Sequence, residues 1–376
     1  MKRVALLVVA ILLFNIQPAS ADDVLPESFF SYLGSKYLAD PGIILIDQSD
    51  KHVVYQKGET ELRAPASVLK LISTSAIALN METSTVFKTA VYTTNKPGEF
   101  LIAGDDDPWI TSSAKEAARL KRAYLPALLK AALDHKNNLK TISLVYTGVS
   151  GSDIKSARRA LRKTSSIRYT ALKDNVDTAT IAVEKIGEIN SPPLASIINF
   201  TLLYSDNLLA QRLAMLATVR FGYPSTKDGL NQMVNDKLTT LNINIDGLHL
   251  EDGNGVSGGD RVSALTMSQL LLKIRTEPKL KIIYDSLPVS GQSGTLIGRY
   301  HGTAPQAVGL VRAKTGSTRH TISLAGYATS GDKEYVFVVI ANHVGSTKRK
   351  QNAARSAIDR MLGTITRPPT LSTTTS

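Results

Sequence analysis

Three short motifs stand in order along the chain: Ser67-Val68-Leu69-Lys70, Ser205-Asp206-Asn207 and Lys314-Thr315-Gly316. A serine and a lysine three positions apart share one face of a helix and can meet within hydrogen-bond reach. A neutral lysine amine can take the serine proton and make the oxygen a nucleophile. Gathered into one cleft, the three motifs form a serine acyl-transfer site that works without a histidine. S-x-x-K alone says little, because Ser112–Lys115, Ser152–Lys155 and Ser330–Lys333 repeat it, whereas S-x-N and K-T-G each occur once. Ser67 follows Ala64-Pro65-Ala66 and opens an apolar run, residues 68–80, that reads as a buried helix. The plain alternative makes Ser67 only the cap of that helix.

Further blocks accompany the motifs: Pro65-Ala66 before Ser67, Tyr204 and Leu208-Leu209-Ala210 around the second motif, and Asp252-Gly253-Asn254-Gly255. Leu287-Pro288-Val289-Ser290-Gly291, Gly294-Thr295-Leu296 and Leu324-Ala325-Gly326-Tyr327 complete the set. Together they resemble the low-molecular-mass class C penicillin-binding proteins, the D-alanyl-D-alanine carboxypeptidase/endopeptidase family. The resemblance covers residues of about 40–80 and 190–345. The stretch between matches poorly and is shorter than the insert the family often carries there.

The resemblance implies an α/β (α+β) chain with the penicillin-binding/serine β-lactamase-like transpeptidase fold. It implies an acyl-enzyme on Ser67, peptidoglycan stem peptides as substrate and β-lactams as covalent inhibitors, with no cofactor. Lys70 would act as base once burial and the Lys314 cation lower its pKa, a role disputed for such lysines. Ser205 would relay a proton to the leaving amine and Asn207 would orient the substrate amide. Lys314 and Thr315 would hold a terminal carboxylate, and Gly316 would let backbone approach closely so that substrate adds as a strand. The Ser67 and Ser317 N–H groups would form the oxyanion hole.

The N-terminus reads as a secretory signal over residues 1–21: Lys2 and Arg3, an apolar core from residue 4 to 14, then Ala19-Ser20-Ala21. The apolar run is shorter than the roughly 20 residues of a membrane span. Its removal would leave a protein acting in the periplasm or cell-wall space, without a stable membrane anchor. The chain holds no cysteine, so its stability rests on the core. The formal charge is +12, and loss of Lys2 and Arg3 leaves +10, which favours anionic wall polymers. The basic residues are dispersed without a nucleic-acid motif, so no nucleic-acid partner is expected.

Residues 26–38 read as a helix, and 42–47 with 52–56 as a hairpin. Strands at 307–313, 321–328 and 334–341 join that hairpin in an expected five-stranded antiparallel sheet flanked by helices. Helices are expected at 194–217, 227–241, 264–276 and 353–362. Residues 84–190 read as an inserted small domain: strands at 88–93, 141–146 and 178–183, one long helix at 114–135, and the linker-like Ser191-Pro192-Pro193. The catalytic domain is then 22–83 plus 191–366, and 367–376 reads as a disordered Pro/Thr/Ser-rich tail. None of the three motifs falls in the insert, so its expected role is positioning or wall contact.

Other residues invite weaker readings. Asp105-Asp106-Asp107 suggests a cation site or, more plainly, an acidic turn. His320 reads as incidental to the site, and Arg299 as a cleft or surface residue. Two other functions compete. A serine β-lactamase of class A needs a deacylating glutamate, and between Asn207 and Arg275 only Glu251 offers one. A non-catalytic wall-binding protein is expected to have lost Ser67, Lys70 or Lys314, and all three are present.

Overall fold

The computed structural model describes residues 24–136, 140–162, 166–173 and 176–369. The expected signal segment 1–21 and positions 370–376 of the expected tail lie outside them. Gly42–Asp47, Val53–Lys57, Val311–Ser317, Ile322–Ser330 and Lys333–Ala341 form one sheet. Every pairing in it is antiparallel, with Val311–Ser317 on one edge and Val53–Lys57 on the other. The central strands are buried on both faces, which their near-continuous Val/Ile/Leu/Ala content makes favourable. On one side lie Glu27–Leu33 and Lys348–Gly363, whose apolar residues close a core around Phe29, Phe337 and Ile358. On the other side lie Lys70–Asn80, Leu194–Tyr204, Asn207–Arg220 and Ala264–Thr276.

A second sheet is built from Val86–Thr94, Glu99–Gly104, Ile142–Thr147, Ile167–Ala171 and Ala182–Pro193. Its apolar residues, Phe87, Val91, Phe100 and Leu144 among them, belong to the same buried cluster as Leu69, Ile197 and Leu213. No helix among the described residues is long and apolar enough to cross a membrane.

Several elements differ from expectation for local reasons. The expected helix over 114–135 is two, Ala114–Leu120 and Leu125–Asp134. Lys121 turns left-handed at φ 54°, and Pro126 sits in the first turn of the second helix, where its missing N–H costs nothing. The expected helix over 194–217 breaks at Ser205, and the expected strand over 307–313 starts only at Val311, after a 3-10 turn at Pro305–Ala307. Residues Thr178–Thr180 form a 3-10 turn capped by Asp177, and the strand follows it. Ser191-Pro192-Pro193 is no linker but the end of that strand: Pro193 pairs with Val86, and Ser191 Oγ accepts from Phe87 N at 2.9 Å. Arg367, expected to begin the tail, is held by backbone bonds to Thr329 and Gly331.

Candidate active site

Ser67 lies in a 3-10 turn, Ala66–Leu69, that leads directly into the helix Lys70–Asn80. It therefore sits inside the turn rather than capping a helix. Ala66 just before it is left-handed at φ 53°, a conformation that costs a non-glycine residue roughly 1–2 kcal/mol. Close packing holds it there. A Cβ on Gly316 would lie 2.9 Å from Pro65 O and 3.1 Å from Ala66 Cβ, and one on Gly255 would lie 2.0 Å from Ala66 O. Ser323 Oγ also donates to Pro65 O at 2.7 Å. The K-T-G strand thus presses on the segment that presents Ser67, and glycine is what permits that approach.

Lys70 Nζ donates to Ser67 Oγ at 2.8 Å, to Asn207 Oδ1 at 2.8 Å and to Asn254 O at 2.6 Å. Three donors meet three acceptors, so the amine is fixed in position. Lys70 is fully buried, and burial lowers its pKa from 10.5 to about 8, while Asp252 and Asp206 pull it back upward. Lys314 is also fully buried, and it is held well below 10.5 by burial and then by repulsion from Lys70. Lys70 also faces the carboxylates of Asp252 and Asp206.

Asn207 opens the helix Asn207–Arg220, and Asp206 caps it by accepting from Leu209 N at 2.9 Å. Ser205 ends the preceding helix with φ 57°, so the motif is a sharp corner between two helices. The Ser205 hydroxyl makes no hydrogen bond among the described residues, and Ser205 is half-buried. Lys314 and Gly316 point from their strand toward the nucleophile turn. Thr315 and Ser317 alternate to the opposite face. There Thr315 Oγ1 donates to Thr295 Oγ1 at 2.8 Å, and Arg355 donates to Ser317 Oγ at 2.8 Å. Val289 bridges Arg312 on the outer edge of this strand, and Ala313 N donates to Pro288 O, so the uncovered edge begins near Lys314.

The loop behind Lys70 is as organised as the motifs. Asp252 accepts from Asn254 N at 2.9 Å, Gly255 N at 2.6 Å and Ser257 N at 2.8 Å. Asp260, fully buried, accepts from Glu251 N at 2.8 Å. These bonds aim the Asn254 carbonyl at Lys70. Sequence reasoning noticed Asp252-Gly253-Asn254-Gly255 only as a resemblance block. The working atom is a backbone oxygen, which no residue type announces. Thr295 and Arg355 were likewise not singled out as partners of the K-T-G strand.

The weaker candidates fall elsewhere. Arg299 pairs with Asp359, and its Nη2 also reaches Arg355 O, so it braces the Lys348–Gly363 helix. His320 sits in the turn after the K-T-G strand, its Nδ1 3.4 Å from Val344 O. Asp105 and Asp107 accept backbone N–H groups from Lys88 and Trp109, as residues of an acidic turn do. Glu251 accepts from the Ser257 hydroxyl.

The model of the D-Ala-D-Ala carboxypeptidase 3 (S13) family matches residues 157–365. The chain belongs to this family. It is a serine D-Ala-D-Ala carboxypeptidase. Carboxypeptidase DacB of Mycolicibacterium smegmatis is 26% identical over 381 residues, spanning 87% of this chain and 82% of that protein. Penicillin binding protein 4 (dacB) of Haemophilus influenzae superposes with a TM-score of 0.69 at 18% identity, covering 90% of this chain and 96% of that one. That protein has also been solved with a β-lactam bound. The Bd0816 predatory endopeptidase of Bdellovibrio bacteriovorus superposes with a TM-score of 0.60 at 15% identity, covering 86% and 92%. The S13 carboxypeptidase therefore has the penicillin-binding/β-lactamase-like fold expected from its motifs.

Proposed function

We propose that this carboxypeptidase cleaves the terminal D-alanyl–D-alanine bond of peptidoglycan stem peptides through an ester on Ser67. One observation carries the reading: the Lys70 amine bonds Ser67 Oγ and Asn207 Oδ1 together, with buried Lys314 as a second amine nearby. Neutral Lys70 takes the hydroxyl proton as Oγ attacks the carbonyl carbon of the penultimate D-Ala. The Ser67 and Ser317 N–H groups receive the oxyanion, where one such donor is worth about 2.7–4 kcal/mol. The C–N bond then breaks, and the proton passes through the Ser205–Lys70 side to the departing amine of D-Ala. Water hydrolyses the ester, and the proton returns to Ser67. Asn207 orients the scissile amide, Lys314 and Thr315 read the free carboxylate, and the substrate backbone runs beside the open edge at Thr315–Gly316.

The same chemistry cleaves a D-alanyl cross-link when the leaving amine belongs to a neighbouring stem peptide, which makes endopeptidase activity a natural second reaction. A β-lactam presents a cyclic amide to Ser67 and stays attached as the acyl-enzyme. The cell-wall substrate and the basic charge of +12 support an action outside the cytoplasmic membrane, with residues 1–21 as the secretory signal. Labelled penicillin should attach to the wild type and not to Ser67→Ala. Label on Ser112, Ser152 or Ser330 would overturn the assignment. Mass analysis of digested peptidoglycan should show loss of terminal D-Ala, and release of cross-linked dimers would establish the second reaction.

A further inference from the structure

The Ser205–Asn207 corner is gripped from outside by the stretch that joins Glu99–Gly104 to Ile142–Thr147 in the second sheet. Asp206 Oδ2 lies 3.9 Å from Arg122 Nη2. The Arg122 side chain is only 3% exposed. Its guanidinium stacks over the Trp109 ring at 4.9 Å, and Nη1 reaches Glu116 Oε2 at 3.4 Å. Its Nε and Nη2 have no hydrogen-bond partner among the described residues, so a buried cation is held at this corner by charge and stacking. The same ring meets Phe200 edge-on at 5.3 Å, and Phe200 in turn packs on Tyr204, the residue before Ser205. On the next helix, Asn207–Arg220, Arg212 donates to Pro108 O and Ile110 O and pairs with Asp153.

We infer that Arg122 is a positioning residue for the reaction: it holds Asp206 and thereby sets Asn207 against Lys70. Asp206 has one oxygen on Leu209 N and the other toward Arg122, so its side chain is fixed from both sides. Ser205 is a non-glycine residue in a left-handed turn, and such a turn persists only where its surroundings hold it. Asn207 follows two residues later and supplies the oxygen that Lys70 bonds at 2.8 Å. A shift at Asp206 therefore moves a ligand of the base. The inserted stretch then builds one wall of the catalytic cleft, beyond the wall contact its sequence suggests. This inference rests on the proposed roles of Ser67, Lys70 and Asn207.

The test uses the full-length protein with Arg122→Gln, Arg122→Lys, Asp206→Ser and the Gln/Ser double variant. Serine keeps a capping hydroxyl and removes only the charge. Arg122→Gln should lower kcat on a D-Ala-D-Ala peptide by about tenfold or more with KM within about twofold. Arg122→Lys should recover most of that loss. The double variant should be no slower than the slower single, because both act through one contact. An unchanged kcat in Arg122→Gln, or losses that multiply in the double variant, would overturn the inference. Should Arg122→Gln fail to fold, Asp206→Ser decides alone: wild-type kcat in that variant overturns the inference. Ser67→Ala, labelled alongside, separates the two levels of argument. Label persisting there overturns the site assignment, whereas a normal Ser67 result with indifferent Arg122 variants overturns only the role of Arg122.

Discussion

If neutral Lys70 is the base, acylation must follow its titration. Burial brings its pKa from 10.5 to about 8. At pH 7 the neutral amine is then roughly a tenth of the population, against about three in ten thousand for an unperturbed lysine. That is a gain of roughly 300-fold in competent enzyme, or about 3 kcal/mol. Below about pH 8 the acylation rate should fall nearly tenfold per pH unit, and above it the rate should level off. Asp252 adds a direct handle. Its charge raises the Lys70 pKa, and its oxygens hold the loop that carries Asn254. Asp252→Asn keeps one side-chain oxygen as acceptor and removes the charge, so the midpoint should move to lower pH. Stopped-flow acylation by a fluorescent penicillin, from about pH 6 to about pH 9.5, reads both effects. A flat wild-type profile would remove Lys70 as the base. A midpoint that rises in Asp252→Asn would refute the electrostatic argument.

Two more outcomes are expected. Lys314→Met should lose turnover of free-acid peptides more than of carboxyl-amidated ones, and equal losses would remove Lys314 as the carboxylate reader. The same variant should melt higher near neutral pH. Lys314 is depressed in the fold, so the unfolded chain holds more protons between the folded pKa and 10.5, and wild-type stability rises with pH through that window. The advantage of methionine should therefore shrink as pH climbs toward 10.5, and a pH-independent advantage would contradict the assigned cause. Gly255→Ala should depress both stability and acylation, because φ is +79° and the new Cβ would meet Ala66 O at 2.0 Å. Gly258, with nothing among the described residues within 4 Å of its added Cβ, is the control, and similar effects of alanine at both positions would refute the packing argument.

The fold was legible wherever side-chain pattern carried it. Two early apolar strands and three late ones assembled as expected, since continuous Val/Ile/Leu runs leave few options but a covered sheet. The expectations failed where a single residue's backbone conformation decided. Ser205 and Lys121 turn left-handed, and neither type signals it, so two helix pairs read as two long helices. The Ser67–Lys70 contact was legible from spacing read together with the two downstream motifs. The Asn254 carbonyl was not, because backbone oxygens have no sequence signature. The sequence likewise hid the contact between Arg122 and Asp206, which are far apart in the chain and joined only by tertiary packing.

A lysine base needs a low-dielectric pocket, and that need explains why so much of the site is backbone and packing. A buried amine loses solvation, so it must find fixed acceptors, and Lys70 finds Ser67, Asn207 and Asn254. Those acceptors arrive from three separate stretches of chain. Each is held by a further group: the Ser67 turn by Gly316 and Gly255, the Asn254 loop by Asp252 and Asp260, and the Asn207 corner by Asp206 with Arg122. An error in any one lets water or a misplaced acceptor reach the amine and returns its pKa toward 10.5. The catalytic requirement on Lys70 is thus a packing requirement on residues that never touch substrate. That is why substitutions at Gly255, Asp252 or Arg122 should register first in the pH dependence and rate of acylation.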